Sequence, residues 1–169
     1  TFDAEMRSWF LGKWYKSLKP DKADLISRIL MDDEEKVLRA NESWNLPEDY
    51  SLTYLMSEKS NFVLLQLMKN NNIVEESVIE PGNFFEYKKN INGIYVVLFK
   101  ARVDGLLGGN DSGILKLENI YQYSDEPLEI KAGDKYGEFE VRRVTSNKIE
   151  LKNAIDMTFS PGGITSILD

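Results

Sequence analysis

Residues 94–103 read IYVVLFKARV and residues 114–123 read ILKLENIYQY. Both are dominated by β-branched and aromatic side chains, the types that fit a pleated, half-buried surface. Between them lies DGLLGGNDSG, Asp104 to Gly113, whose glycine and asparagine supply the positive φ of a long hairpin connection. The same punctuation recurs from about Val37 onward. Strands are expected at Ser51–Met56, Phe62–Lys69, Glu76–Ile79 and Phe84–Tyr87, besides the two opening stretches. A later group is expected at Leu128–Ile130, Tyr136–Val144, Lys148–Lys152, Met157–Phe159 and Ile164–Leu168. Short strands at regular spacing, with no parallel βαβ rhythm, predict a sandwich or partly open barrel.

The beginning of the chain reads differently. Phe2, Met6, Trp9, Phe10 and Trp14 recur at spacings suited to one face of a helix, with Asp3 as its cap and Pro20 as its limit. A second helix is expected from Asp21, carrying Leu25, Ile26, Ile29 and Leu30. Carboxylates oppose the dipole at a helix C-terminus, so Asp32-Asp33-Glu34-Glu35 reads as its exit loop.

Two later stretches share a plan. Tyr50 to Thr53, a turn at Glu58-Lys59-Ser60 and Phe62 to Leu65 parallel Glu138 to Val141, a turn at Ser146-Asn147 and Ile149 to Leu151. The expected fold is therefore mainly β, two linked β-sandwich-like modules with short N-terminal helices. The expected organisation is a helical segment over 1–36, a first β module over 37–126 and a second over 127–169. The last of these is a candidate to pack with the N-terminal segment, and the boundary falls near Ser124-Asp125-Glu126-Pro127.

Composition narrows the chemistry. The 169 residues contain no histidine and no cysteine. That removes serine–histidine and cysteine–histidine machinery, zinc–thiolate sites and disulfides from this chain. The net charge of −7, with no basic stripe beyond Arg142-Arg143, repels phosphate backbones and argues against nucleic acid. No apolar run approaches the length of a membrane span. The chain opens at Thr1 rather than methionine, as a segment of a longer protein would.

Few residues invite a site. Asp32 to Glu35 reads as a solvated charge run rather than a cation or acid–base site. The glycine-rich segment lacks a phosphate-loop lysine and GxGxxG spacing, and calcium coordination by Asp104 or Asp111 is its weaker reading. Tyr50, Tyr54, Phe84, Phe85, Tyr87, Tyr95, Tyr121 and Tyr123 read as core and cross-strand packing before a sugar-binding face. Asn41-Glu42-Ser43 and Asn110-Asp111-Ser112 fit the N-glycosylation pattern, which makes Asn41 and Asn110 candidate glycan acceptors in an exported chain.

Several blocks, in order, resemble the S-layer family duplication domain of methane-producing archaea. They are Phe10 to Tyr15; Glu42, Trp44, Leu46, Tyr50 and Leu52; and Val103, Asp104, Gly109, Asp111 and Ser112. The run Leu128-Glu129-Ile130-Lys131-Ala132-Gly133-Asp134-Lys135-Tyr136-Gly137 follows, then Phe139 to Val141 and Ile149 to Asn153. The chain departs from the family at Asn41, Pro47 and Asp49, where glycines are usual, and in its ending after Ile167. The resemblance implies two linked β-sandwich-like modules, exported to the cell surface and self-associating with other copies in a glycosylated two-dimensional lattice. It implies no catalytic residue, cofactor or metal. The runner-up reading is a surface glycan- or partner-binding β module. An acidic tile would also bias lattice pores towards cations and neutral solutes.

Overall fold

The computed structural model describes residues 7–10, 12–19, 24–55, 62–108, 113–145 and 148–153. They form three antiparallel sheets from fourteen strands, with no helix among the described residues. The strands are β1 (Arg7–Phe10), β2 (Lys13–Ser17), β3 (Leu25–Arg39), β4 (Ser43–Leu46), β5 (Tyr50–Leu55), β6 (Val63–Lys69) and β7 (Asn72–Ile79). They continue with β8 (Phe84–Ile91), β9 (Ile94–Leu106), β10 (Ile114–Tyr123), β11 (Leu128–Glu129), β12 (Lys135–Tyr136), β13 (Phe139–Val144) and β14 (Ile149–Asn153).

The expected N-terminal helices give way to strands. Trp9 pairs with Trp14 across the β1–β2 hairpin, so their recurrence reflects cross-strand partnership rather than one helix face. Gly12, at φ 71°, supplies the left-handed turn residue between them. Leu25 to Met31 lies in β3, a strand of 15 residues. Leu25, Ile26 and Ser27 are all buried. A run buried on both faces cannot be told from a buried helix by periodicity alone. The acidic run is likewise no exit loop, because Asp32 to Glu35 lies inside β3. Asp33 sits there at φ 57°, where the β3–β10 register slips between Ile120↔Glu34 and Gln122↔Met31. Such bulges bend a strand and raise its twist.

From Ser51 onward most expected strands overlap observed ones and β10 matches end to end, but β7 and β8 run longer than expected. The single strand expected at Tyr136–Val144 is instead β12 and β13, paired antiparallel about a turn at Gly137, whose φ is 59°. Strand β4 was not anticipated. The segments expected at Met157–Phe159 and Ile164–Leu168 lie outside the described residues.

Two compact units result, one within Thr1–Arg28 and Glu126–Asp169, the other Ile29–Asp125. In the first, β1 pairs with β2, and β2 and β11 pair with the start of β3. A further sheet has the order β12-β13-β14. Its core gathers Tyr15, Ile26, Ile130 and Val141.

In the second unit, the rest of β3 pairs with β10, β10 with β9 and β9 with β8. The other sheet has the order β4-β5-β6-β7. One core draws on both sheets, with Leu38, Phe85 and Leu117 from one and Leu52, Tyr54 and Leu65 from the other. Phe85 and Phe99 meet edge to face at 6.2 Å, the favoured arrangement of aromatic quadrupoles. Tight two-residue turns join β6 to β7 through Asn70-Asn71, and β8 to β9 through Asn92-Gly93. All four turn residues have positive φ, which matches the twist of a hairpin.

Leu52 is fully buried within that core. Leu52→Ala is expected to cost about 2–5 kcal/mol, the usual range for a cavity of this kind. Val78→Ala, at a side chain 62% exposed on β7, is expected to cost under about 1 kcal/mol. Urea unfolding of both variants checks the contrast; equal midpoints would contradict the assignment of the core.

Candidate functional site

The most constrained polar constellation of the second unit is built around Asp125, two residues beyond β10. Its carboxylate is 4% exposed. Residues distant in sequence converge on one oxygen. Tyr50, the first residue of β5, donates its hydroxyl at 2.9 Å. Lys89 of β8 approaches at 3.0 Å, and Lys69, the last residue of β6, also ion-pairs with it. The β5–β6 register places Tyr50 opposite Lys69, which sets the Lys69 ammonium 4.7 Å from the Tyr50 ring centroid. Tyr87 of β8 packs against Tyr50 with ring centroids 6.1 Å apart.

The turn between β4 and β5 closes the arrangement. Asp125 donates its backbone N–H to Glu48 at 3.1 Å, and the Gln122 side chain donates to the Pro47 carbonyl at 2.9 Å. Asn70 donates to the Asp49 carbonyl at 3.1 Å. Glu48 and Asp49 both hold positive φ.

Burial alone would push the Asp125 carboxyl up, but hydrogen bonds from Lys69, Lys89 and Tyr50 outweigh it and hold the group down to about 2. Burial, then the hydrogen bond to Asp125, pushes the Tyr50 phenol well above its ordinary range. Asp125 is thus a permanent anion and Tyr50 a permanent donor at neutral pH. Neither is poised to exchange a proton, so this constellation ties strands together rather than performing acid–base chemistry.

The acidic run of β3 faces a different set. Asn119 donates to Asp33 at 2.9 Å, and Glu35 lies 3.8 Å from Lys116. Lys116 also meets Asp104 at 3.6 Å and Glu118 at 3.5 Å, while Arg102 ion-pairs with Glu118. These are rungs of a charge ladder across β3, β10 and β9, so Asp104 is engaged by cations of the chain itself. Among the described residues, no three acidic side chains stand together as metal ligands. Asp111 and Asn110 lie outside the described residues. Asn41 lies on an exposed turn at φ 62°, its N–H donated to the Tyr54 carbonyl at 2.7 Å.

The aromatic set is mostly core. Tyr50, Tyr54, Phe85 and Tyr123 are buried, and only Phe84 and Tyr95 are largely exposed. Lys100 lies 4.0 Å over the Phe84 ring. No helix among the described residues is long and apolar enough to cross a membrane.

Several described residues of the ordered blocks are structural parts. Leu46, Tyr50, Leu52 and Val103 are buried, and Lys36 sits 5.3 Å over Trp44. In the first unit Asp134 accepts the Lys131 N–H at 2.7 Å, shaping the turn that brings Ile130 into the core. Gly133 and Asp134 then exchange backbone hydrogen bonds with Val141, both at 2.8 Å.

A family model described as S-layer protein matches residues 10–169. The chain belongs to the S-layer protein family. Two relatives are each named major S-layer protein. That of Methanosarcina barkeri is 23% identical over 161 residues, 89% of this chain, and that of Methanosarcina mazei 21% over the same share. The chain spans 24% of the length of each. The family match spans every ordered block quoted above.

Sequence reading missed Lys69, Lys89 and Asp125. Asp125 lies 56 residues from Lys69 and 75 from Tyr50, and no local pattern announces so distant a meeting. The only sequence signal was Tyr50, which stands in a family block.

The folded carboxyl titrates lower than the ordinary 3.8 of an unfolded aspartate. Its contribution is therefore complete above that value and is lost as pH falls towards about 2. That contribution is roughly 2 kcal/mol. Asp125→Asn is expected to be less stable than the parent chain by about that amount at neutral pH, with the gap closing as pH falls below about 4. Denaturant midpoints of both proteins across that range provide the check; a constant gap would contradict the assignment.

Proposed function

We propose that this chain is one structural repeat of a larger cell-surface protein, and that the whole protein self-associates into a two-dimensional S-layer. The single observation that carries the reading is the family match over residues 10–169. The names of the two Methanosarcina relatives support it, as do the fixed protonation states of the Asp125 constellation. In this reading the chain is not an enzyme. Its domain organisation is an N-terminal segment and two β-sandwich-like modules, and the core shared by both sheets of Ile29–Asp125 supports this for the larger module. Asn41 and Asn110 are glycan acceptors on the exported protein, a role favoured for Asn41 by its exposed turn. The net charge of −7 gives the assembled layer an acidic lining that favours cations and neutral solutes over anions.

Envelopes of the producing cells, washed with detergent and analysed by peptide mass spectrometry, test the location. Peptides of this chain are expected in the insoluble sheet fraction, and their recovery only from the cell interior would overturn the proposal. In the same digest, the peptide holding Asn41 is expected to carry a mass increment that peptide N-glycosidase or chemical deglycosylation removes. An unmodified peptide at full occupancy would remove the glycan assignment alone.

A further inference from the structure

The β8–β9 hairpin turns through Asn92-Gly93, the only asparagine–glycine pair in the sequence. Both residues are exposed, with φ of 52° and 84°. This dipeptide is the one most prone to spontaneous imide formation, because glycine offers no side chain to hinder the attacking backbone nitrogen. The Gly93 amide must lose its proton and attack Cγ of Asn92. A nitrogen–carbon bond then forms, the Cγ–Nδ2 bond breaks and ammonia carries away the proton. Water opens the resulting ring to aspartate or isoaspartate. Only water is consumed and nothing is oxidised.

In this structure the attacking nitrogen is engaged. The Gly93 N–H donates to the side-chain oxygen of Asn90 at 2.9 Å. Asn90 ends no hairpin itself; it stands one residue before the Ile91↔Ile94 closing pair and opposite Tyr95. Its side chain reaches over the turn to take the Gly93 N–H, which lies outside the strand ladder. A donated proton is harder to remove and a tethered nitrogen is harder to swing onto Cγ. The left-handed backbone of the turn adds to the restraint, since ring closure requires rotation out of it.

We propose that Asn92 is the principal site of spontaneous deamidation in this chain, and that the Asn90 side chain is a positioning residue that slows it. The product adds one negative charge at the hairpin tip, and in the isoaspartyl form one extra backbone carbon. An extra backbone atom is incompatible with a two-residue turn in register, so the modification opens the tip of β8–β9.

The test incubates the folded chain at mildly alkaline pH and follows ammonia release, a one-dalton gain and enzymatic isoaspartate methylation, each mapped by peptide. The parent is expected to convert first at Asn92. Asn90→Ala is expected to convert about fivefold faster, equivalent to about 1 kcal/mol of barrier. Asn90→Asp, which keeps an acceptor, is expected to convert no faster than the parent. Tyr95→Ala weakens the opposite strand but keeps the acceptor, and is expected to match the parent. In concentrated urea all four chains are expected to convert at one rate. Conversion first at another asparagine, or an Asn90→Ala rate equal to the parent, would overturn the proposal. So would Asn90→Asp or Tyr95→Ala rates as fast as Asn90→Ala, or a difference that persists in urea.

Discussion

The second unit turns on a buried negative charge. A carboxylate removed from water carries a large desolvation cost unless donors surround it. Asp125 recovers that cost through two ammonium groups and a phenol, each delivered by a different strand. Its position therefore presupposes the correct β5–β6 register, the correct end of β6 and the correct placement of β8. One residue of slip in β5 or β6 would turn Tyr50 or Lys69 to the opposite face and leave the anion underpaired. Apolar packing supplies bulk stability here, as in most domains, but it tolerates rearrangement among residues of similar volume. The carboxylate does not, and so it selects one register among the many a four-stranded sheet could adopt.

What could be read from the sequence, and what could not, follows from the range of the forces involved. The β-branched and aromatic content of residues 94–103 and 114–123 is a local property, and it located β9 and β10 well. The Asn70-Asn71 and Asn92-Gly93 turns are local too. Leu25 to Met31 misled because a strand buried on both faces shows no alternation, and because the partners that make it a strand lie in β2, β10 and β11. Gly12 was the overlooked clue, being a poor guest in the helix expected there. The acidic run misled for a related reason. In isolation four carboxylates suit a solvated loop, whereas Asn119 and Lys116 on β10 give two of them partners within a sheet.

The family resemblance contributed what local physics did not. Its blocks include Tyr50 and the Lys131 to Asp134 turn, residues whose contribution to folding becomes visible only with the contacts in hand. Residues of that kind are recognised in a resemblance before their contacts explain them. The Asp125 constellation is held by a carboxylate that stays ionised, and a fixed charge of that kind serves rigidity better than a titratable one.

The order of the units along the chain has a consequence for biogenesis. Ile29–Asp125 is one continuous stretch, whereas the other unit combines residues from before Ile29 with residues after Asp125. A ribosome therefore completes the continuous unit first, and Asp125 is its last residue to emerge. Tyr15 of β2 and Ile26 of β3 are made early, but Ile130 and Val141, which share their core, arrive after the entire intervening unit has been synthesised. Contacts of such long sequence separation are slow to form, and chains tend to fold in units as they emerge. Nascent Tyr15 and Ile26 must wait for those partners through the synthesis of the whole continuous unit. Those two apolar side chains are the ones that a folding factor has most reason to shield in the meantime.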